Sequence, residues 1–354
     1  MSKQNVIICN NLRHDLENVI SSHEYDRLFV LTDNNTFRNC LTAIEDIAPV
    51  KNATHITIGS GDINKTLDAL SEVWLMLSRN GATRHSLMIN LGGGMITDLG
   101  GFAAATFKRG ISFINIPTTL LAMVDAAVGG KTGINFNGLK NEIGSFAKAS
   151  DVLIDSEFLR TLDYENLMSG YAEMLKHGLI SSVENWKELI KFDFDNDIDY
   201  KSLQNIIGKS VAIKENIVEQ DPREKGIRKA LNLGHTIGHA LESYTLKSEH
   251  PALHGYAVAW GIVCELYLSH VREGFPKELL RQAVTFIKEH YGRLSLSCKS
   301  YDELYELMTH DKKNMSSGSV NFTLLSDIGK ININQTVSKK LIFECLDFYC
   351  ETMG

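Results

Sequence analysis

The chain predicts an α/β N-terminal domain built on parallel strands, residues 1–153, and a mainly α-helical C-terminal domain, residues 154–354. Three observations predict it. In the first part, short apolar runs alternate with amphipathic stretches, the pattern of strand–helix units in a parallel sheet. Past about residue 153 the strand signal fades and long helical patterns take over. The length of 354 residues, with 44% hydrophobic and 22% charged side chains, suits one large or two ordinary globular domains.

Residues 6–9, 28–31, 55–58, 87–91 and 111–116 are short, apolar and bounded by polar or glycine residues, so they read as buried strands. Residues 63–78 read as a helix between two of them, and 99–105 as the start of a helix after Gly92-Gly93-Gly94. Helical periodicity marks 165–180, 200–219, 228–244, 255–273 and 277–290. The later strand candidates, 320–325 and 329–333, form a small hairpin around Ser326-Asp327. There is no internal repeat and no low-complexity tract.

The net charge of −7 at pH 7 argues against a nucleic-acid surface and leaves no polybasic membrane patch. The start, MSKQNVIICNN, lacks a charged region followed by a long apolar one, so no signal peptide is expected. No apolar run approaches the ~20 residues of a membrane-spanning helix. The cysteines at 9, 40, 264, 298, 345 and 350 are scattered without a C-x-x-C pair, as reduced cytoplasmic thiols are.

Candidate chemistry concentrates in three places. In R-K-A-L-N-L-G-H-T-I-G-H, Arg228, Asn232, His235 and His239 are spaced i, i+4, i+7, i+11. At about 100° per residue they share a ~60° sector of one helix face. The residues between are apolar, and burying such groups without partners costs roughly 2–7 kcal/mol each. A core helix with satisfied histidines explains one His; four polar groups in phase point to a site. Gly234 and Gly238 interrupt that phase.

Glycines crowd residues 87–133, and Gly92-Gly93-Gly94 sit between a strand and a helix, where backbone N–H groups can approach a phosphate. A tight turn without ligand explains the same residues, and G-x-G-x-x-G is absent. Asp33 and Asn35 follow a strand, where an acid can take ribose hydroxyls or simply make a turn. Lys108, Arg109, Lys131 and Lys140 gather near the glycine loops and suggest an anionic ligand. Finally, Glu173, His235 and His254 supply one carboxylate and two imidazoles, a catalytic zinc-type set. Their separations of 62 and 19 positions leave metal binding open on spacing alone.

Residues 92–102 as GGGMITDLGGF, 117–122 as PTTLLA, 125–131 as DAAVGGK, Lys140-Asn141, 172–176 as AEMLK, 232–240 as NLGHTIGHA, and His254-Gly255 occur in an order that resembles the 3-dehydroquinate synthase family of the sugar phosphate cyclase superfamily. The resemblance runs from about residue 6 to 333. It implies a Rossmann-like nucleotide-binding domain that holds NAD through Asp33, Asn35, Asp62, Lys65, Gly93, Gly94, Asp98, Thr118, Thr119, Lys131, Lys140, Phe158, Thr161 and Leu162. It implies Zn2+, with Co2+ as the alternative, on Glu173, His235 and His254. The implied sugar phosphate substrate, 3-deoxy-D-arabino-heptulosonate 7-phosphate, meets Asp125, Lys131, Asn141, Lys176, Lys214, Arg228, Asn232, His239 and Lys312, with Arg109 reaching the phosphate across a homodimer interface.

The implied activity is a cytoplasmic lyase of the shikimate pathway of aromatic amino acid and chorismate biosynthesis. It runs by transient oxidation, phosphate elimination, re-reduction and intramolecular aldol closure to 3-dehydroquinate, with His239 relaying protons. Asp62, Thr97, Asp163, Asn166 and Tyr256 depart from the family pattern, which bears on cofactor contacts and on how the metal donors are oriented. Rival readings are a cyclase acting on sedoheptulose 7-phosphate or an amino analogue, a metal-dependent polyol dehydrogenase, and a non-catalytic NAD-binding regulator. Lys214, Arg228 and Asn232 together favour a carboxylate-bearing substrate.

Overall fold

The computed structural model describes residues 4–194, 197–309 and 320–354. Lys312 therefore lies outside the described residues. The chain divides into two compact units, Met1–Asp163 with Asp199–Val211, and Tyr164–Ile198 with Ala212–Gly354.

The first unit runs β1 (Asn5–Ile8), α1 (Leu12–Ser22), β2 (Leu28–Asp33), α2 (Asn34–Asn39), α3 (Ala48–Lys51), β3 (Thr54–Ile58), α4 (Leu67–Arg79), β4 (Leu87–Gly92), α5 (Gly94–Thr106), β5 (Ser112–Pro117), β6 (Lys131–Phe136), β7 (Leu139–Phe146) and β8 (Asp151–Ile154). Six strands form a parallel sheet in the order β1-β8-β5-β4-β2-β3. The central strands are mostly apolar because both faces are covered: Phe29, Val30, Leu31, Met88, Ile89 and Ile114 are fully buried, and the buried Asn90 donates to Asn115 on the next strand. From β2 the chain goes to one side for β3 and to the other for β4. The order therefore reverses between β2 and β4, where open parallel sheets leave a crevice at the carboxyl ends of the strands.

Three expectations needed correction here. The helix expected over 63–78 begins at Leu67, because the Thr66 hydroxyl caps it by accepting from the Ala69 amide at 3.2 Å. Asp62–Asn64 before it is a separate 3-10 turn. The helix expected to begin at Leu99 starts at Gly94, directly after the glycine turn. The hairpin of β6 and β7 was not anticipated; Asn137 and Gly138 at its tip both take positive φ, 51° and 77°.

The second unit holds α6 (Tyr164–Leu179), α7 (Val183–Leu189), the later half of α8 (Tyr200–Gln220), a 3-10 turn (Ile227–Asn232), α9 (His235–Thr245), α10 (His254–Glu273), α11 (Lys277–Tyr291), α12 (Tyr301–Thr309), β9 (Val320–Asp327), β10 (Lys330–Val337) and α13 (Lys339–Met353). Its core includes Met174, Leu175, Ile237, Val258, Ile262 and Leu324, all fully buried. β9 and β10 pair antiparallel, but the strands run through Ser326-Asp327 and turn at Ile328-Gly329 instead. Among the described residues no helix is long and apolar enough to cross a membrane.

The single helix expected over 228–244 is two pieces. Gly234 takes φ 80°, and a Cβ there would lie 2.6 Å from Ile262 Cγ1 and 3.0 Å from Val258 O on α10. Only glycine fits that left-handed turn against a neighbouring backbone. The in-phase stripe thus breaks: Arg228 and Asn232 stand on the 3-10 turn, His235 and His239 on α9.

α10 packs almost backbone to backbone. A Cβ on Gly255 would sit 1.8 Å from Ser169 O on α6, one on Gly261 2.0 Å from Gly234 O, and one on Gly238 2.9 Å from Ala257 O.

Candidate active site

In the first unit the cofactor candidates collect at strand ends. Asp33 and Asn35 follow β2, Asp62 and Lys65 follow β3, Gly93, Gly94 and Asp98 follow β4, Thr118 and Thr119 follow β5, and Phe158, Thr161 and Leu162 follow β8. Asp33 caps α2: its Oδ1 accepts from the amides of Asn35 and Thr36 at 2.8 and 2.9 Å. α5 has no side-chain cap, so the amides of its first turn face the crevice with the positive end of the helix dipole. Gly93 is tight against Thr119, whose Cγ2 would be 3.0 Å from an added Cβ, and the Thr118 amide donates to Gly92 O at 3.0 Å. Burial pushes the Cys40 thiol up, and the neighbouring Thr161 and Thr118 hydroxyls oppose that shift.

Lys65 is buried, and its Nζ donates to Asp98 Oδ2 and to Asn141 Oδ1, each at 2.5 Å. Asn135 Nδ2 donates to Asp62 Oδ2 at 3.1 Å, and Lys140 Nζ lies 3.8 Å from the same oxygen. Asp125 lies on the helical turn Ala122–Ala126, and Lys131 opens β6. Arg109 stands apart, exposed on the turn after α5, where it and Lys108 take φ of 68° and 50°. Two successive non-glycine residues held in the left-handed region cost on the order of 1 kcal/mol or more each, a strain characteristic of functional turns.

In the second unit α6 brings Glu173 and Lys176, one turn apart, into a fully buried ion pair in which Lys176 Nζ donates to Glu173 Oε2. The other oxygen, Oε1, has no hydrogen-bond partner. It faces His235 Nε2 at 3.4 Å and His254 Nε2 at 3.7 Å. Burial works to raise Glu173, but the Lys176 ammonium paired with it holds it well below the usual carboxylate range. Burial and Lys176 lower His235 to about 3, so it is neutral. Burial opposes charge on His254 as well, but the neighbouring Glu173 and Glu242 carboxylates lift it to about 10.

One ligand atom each from Glu173, His235 and His254 lies within 4.8 Å of the others. The imidazoles are presented correctly: His235 Nδ1 meets Leu233 O at 3.1 Å and His254 Nδ1 meets Glu242 Oε2 at 3.1 Å, which leaves both Nε2 atoms for the common centre. An orphaned buried carboxylate oxygen facing two imidazole nitrogens fits a divalent cation taking the place of a shared proton. His239 lies beside this set, its ring 5.2 Å from His235 and 5.9 Å from His254.

Lys214 and Arg228 are buried cations. Arg228 Nη1 donates to Pro222 O at 2.9 Å, and Asn232 Nδ2 donates to Glu224 Oε1 at 3.0 Å. Three residues outside the sequence expectation shape the site. Glu224 holds Asn232 and Glu242 meets His254. Glu265, fully buried on α10, accepts from the amides of Gly234, Thr236 and Ile237 at 2.6, 2.9 and 3.1 Å. No sequence signal separates these glutamates from other helical acids, since each acts across elements.

A strand-end crevice with a glycine turn in one unit, and a carboxylate with two imidazoles around one point in the other, define a two-unit enzyme with a candidate metal centre. The family model for the 3-dehydroquinate synthase N-terminal region matches residues 55–169, and that for the 3-dehydroquinate synthase C-terminal region matches 170–314. The 3-dehydroquinate synthase of Parabacteroides distasonis is 58% identical over 354 residues, covering 100% of both chains. The chain belongs to the 3-dehydroquinate synthase family. A 2-deoxy-scyllo-inosose synthase, crystallised with carbaglucose-6-phosphate, NAD+ and Co2+, superposes with a TM-score of 0.82 at 25% identity, covering 96% of this chain and 95% of that one. The 2-epi-5-epi-valiolone synthase of Streptomyces hygroscopicus shares the fold, with a TM-score of 0.85 at 24% identity over 99% and 98% of the two chains.

Proposed function

We propose that the chain is a 3-dehydroquinate synthase that converts 3-deoxy-D-arabino-heptulosonate 7-phosphate to 3-dehydroquinate and phosphate in the shikimate pathway. The observation that carries this reading is the convergence of Glu173, His235 and His254 with His239 beside them, in a chain of this family. The first unit is the NAD-binding domain and the second the metal- and substrate-binding domain.

When bound, NAD supplies a reversible hydride acceptor and Zn2+ or Co2+ a Lewis acid for the hydroxyl being oxidised. Glu173, His235 and His254 hold the cation. The amides of Gly93 and Gly94 would take the dinucleotide phosphates, and Lys65 keeps Asp98 and Asn141 in place. Lys214, Arg228 and Asn232 bind the substrate carboxylate, and charge-assisted contacts from buried cations fix its orientation. His239, neighbouring the metal donors without belonging to their set, moves the proton of the oxidised hydroxyl. Lys176 holds the second Glu173 oxygen, so the carboxylate presents one oxygen to the cation.

A cytoplasmic homodimer belongs to the same reading. Its supports are six free thiols and an apolar hairpin, where Phe136, Leu139, Ile143 and Phe146 are exposed. Arg109, exposed and held by a strained turn, is the residue we assign to the partner's substrate phosphate.

The test is incubation with the heptulosonate phosphate, catalytic NAD and Zn2+. Stoichiometric phosphate release with dehydroquinate formation and no accumulated NADH is expected. NADH accumulation indicates a polyol dehydrogenase, turnover of sedoheptulose 7-phosphate in its place indicates the related cyclase, and no product overturns the assignment.

A further inference from the structure

We propose that Glu242 is a positioning residue for the metal centre: it accepts a hydrogen bond from the Nδ1–H of His254 and so fixes that imidazole with Nε2 turned to the cation. The proposal rests on the assignment of Glu173, His235 and His254 to the ion. The two imidazoles are held in different ways. His235 Nδ1 meets a backbone oxygen, Leu233 O, at 3.1 Å. His254 Nδ1 meets a side-chain carboxylate, Glu242 Oε2, also at 3.1 Å. Glu242 is buried on α9, one turn beyond His239, and His254 is the first residue of α10. The contact therefore ties the two helices together at the metal donor itself.

A carboxylate behind a ligating imidazole does two things. It selects the tautomer with Nδ1–H, and it raises the basicity of Nε2 toward a cation. The exposed edge of His254 gives it freedom that His235 lacks: its side chain is 26% exposed against 11% for His235. Without an anchor on Nδ1, the His254 ring is free to rotate about its side-chain bonds and take Nε2 out of the donor set. The same residues offer a competing role. His239, Glu242 and His254 also bring ligand atoms within 4.8 Å of one another, a second set that could hold a metal ion. In that role Glu242 would be a ligand, and His254 Nδ1 would have to be deprotonated to bind.

The experiment strips the full-length protein of metal and measures Zn2+ affinity by competition with a chromophoric chelator, Co2+ stoichiometry, and the visible spectrum of the Co2+ form. Glu242→Ala is expected to weaken Zn2+ about 10- to 100-fold and to shift the Co2+ bands, with the stoichiometry staying at one. Glu242→Gln keeps an acceptor oxygen but loses the charge, and a neutral hydrogen bond is about half as strong, so it should recover much of the affinity, within about 10-fold of the parent. If Glu242→Ala does not fold, the Gln variant carries the test, with a measurable loss expected. Parental affinity and spectrum in the variants overturn the proposal. So does a second Co2+ equivalent in the parent that disappears in Glu242→Gln. Glu173→Gln separates the two levels: if it keeps full metal affinity, the assignment of the centre fails. If it loses metal while the Glu242 variants do not, only the role of Glu242 fails.

Discussion

Replacing Glu265 should unfasten the start of α9 and with it His235, a proposed metal donor. The carboxylate is fully buried and accepts from three amides, Gly234 through Oε2 at 2.6 Å, and Thr236 and Ile237 through Oε1 at 2.9 and 3.1 Å. The first amides of a helix have no intrahelical acceptor, and α9 has no side-chain cap of its own. Glu265→Gln keeps one oxygen for Thr236 and Ile237 but turns an NH2 toward the Gly234 amide. One unsatisfied buried amide costs about 1–3 kcal/mol, and removing an anion from a helix N-terminus about 0.3–2 kcal/mol. The expected loss is about 2–4 kcal/mol, and at about 2–4 °C per kcal/mol for a unit of this size the Tm should fall roughly 5–15 °C. Glu265→Ala strands all three amides and should fall further. Calorimetric melting of the metal-free protein measures both, and Zn2+ affinity should fall alongside because His235 is the first residue of α9. A Tm within ~2 °C of the parent for Glu265→Gln, on the same per-kcal scale, would refute the capping account.

Other outcomes follow from the same geometry. His239→Ala should bind Zn2+ normally yet lose about 100-fold or more of turnover, in line with loss of a general acid–base group; unchanged kcat sinks its proton role. Glu173→Gln should purify with little zinc, and full occupancy by elemental analysis contradicts its place among the ligands. Lys65→Ala should weaken NAD about tenfold or more, because Asp98 and Asn141 lose the cation that orders them; an unaltered Kd by calorimetry counts against the strand-end cofactor site. Cys298 is exposed, whereas burial and Asp15 push the Cys9 thiol up to about 12. A thiol reagent at mildly alkaline pH should therefore label Cys298 rapidly and Cys9 only after unfolding, and equal labelling by mass spectrometry contradicts that burial.

The parallel sheet was legible because β2, β4 and β5 are covered on both faces, which leaves mostly apolar runs in the sequence despite Asn90 and Asn115. The β6–β7 hairpin was not, because Lys131, Gly133, Asn135 and Lys140 interrupt any run, and its apolar side chains other than Ile134 are exposed. Its signal was Asn137-Gly138, the dipeptide that favours a type I′ turn. The helix carrying the imidazoles was legible in its apolar periodicity but not in its break, which depends on how closely α10 approaches Gly234. Glu173, His235 and His254 were legible as residue types, yet their convergence needed three helices in place. Glu224, Glu242 and Glu265 were out of reach, since a carboxylate becomes informative only through the atom it meets on another element.

Because α10 crosses its neighbours with no side chain between them at Gly238, Gly255 and Gly261, the separation of the backbones that carry the three proposed metal donors is set by main-chain contact. Altering the surrounding core will not widen or narrow that spacing by small steps, as it can where side chains intervene. Anyone seeking to retune this centre for a larger or softer cation must exchange a donor or its supporting partner, because the frame offers no intermediate setting.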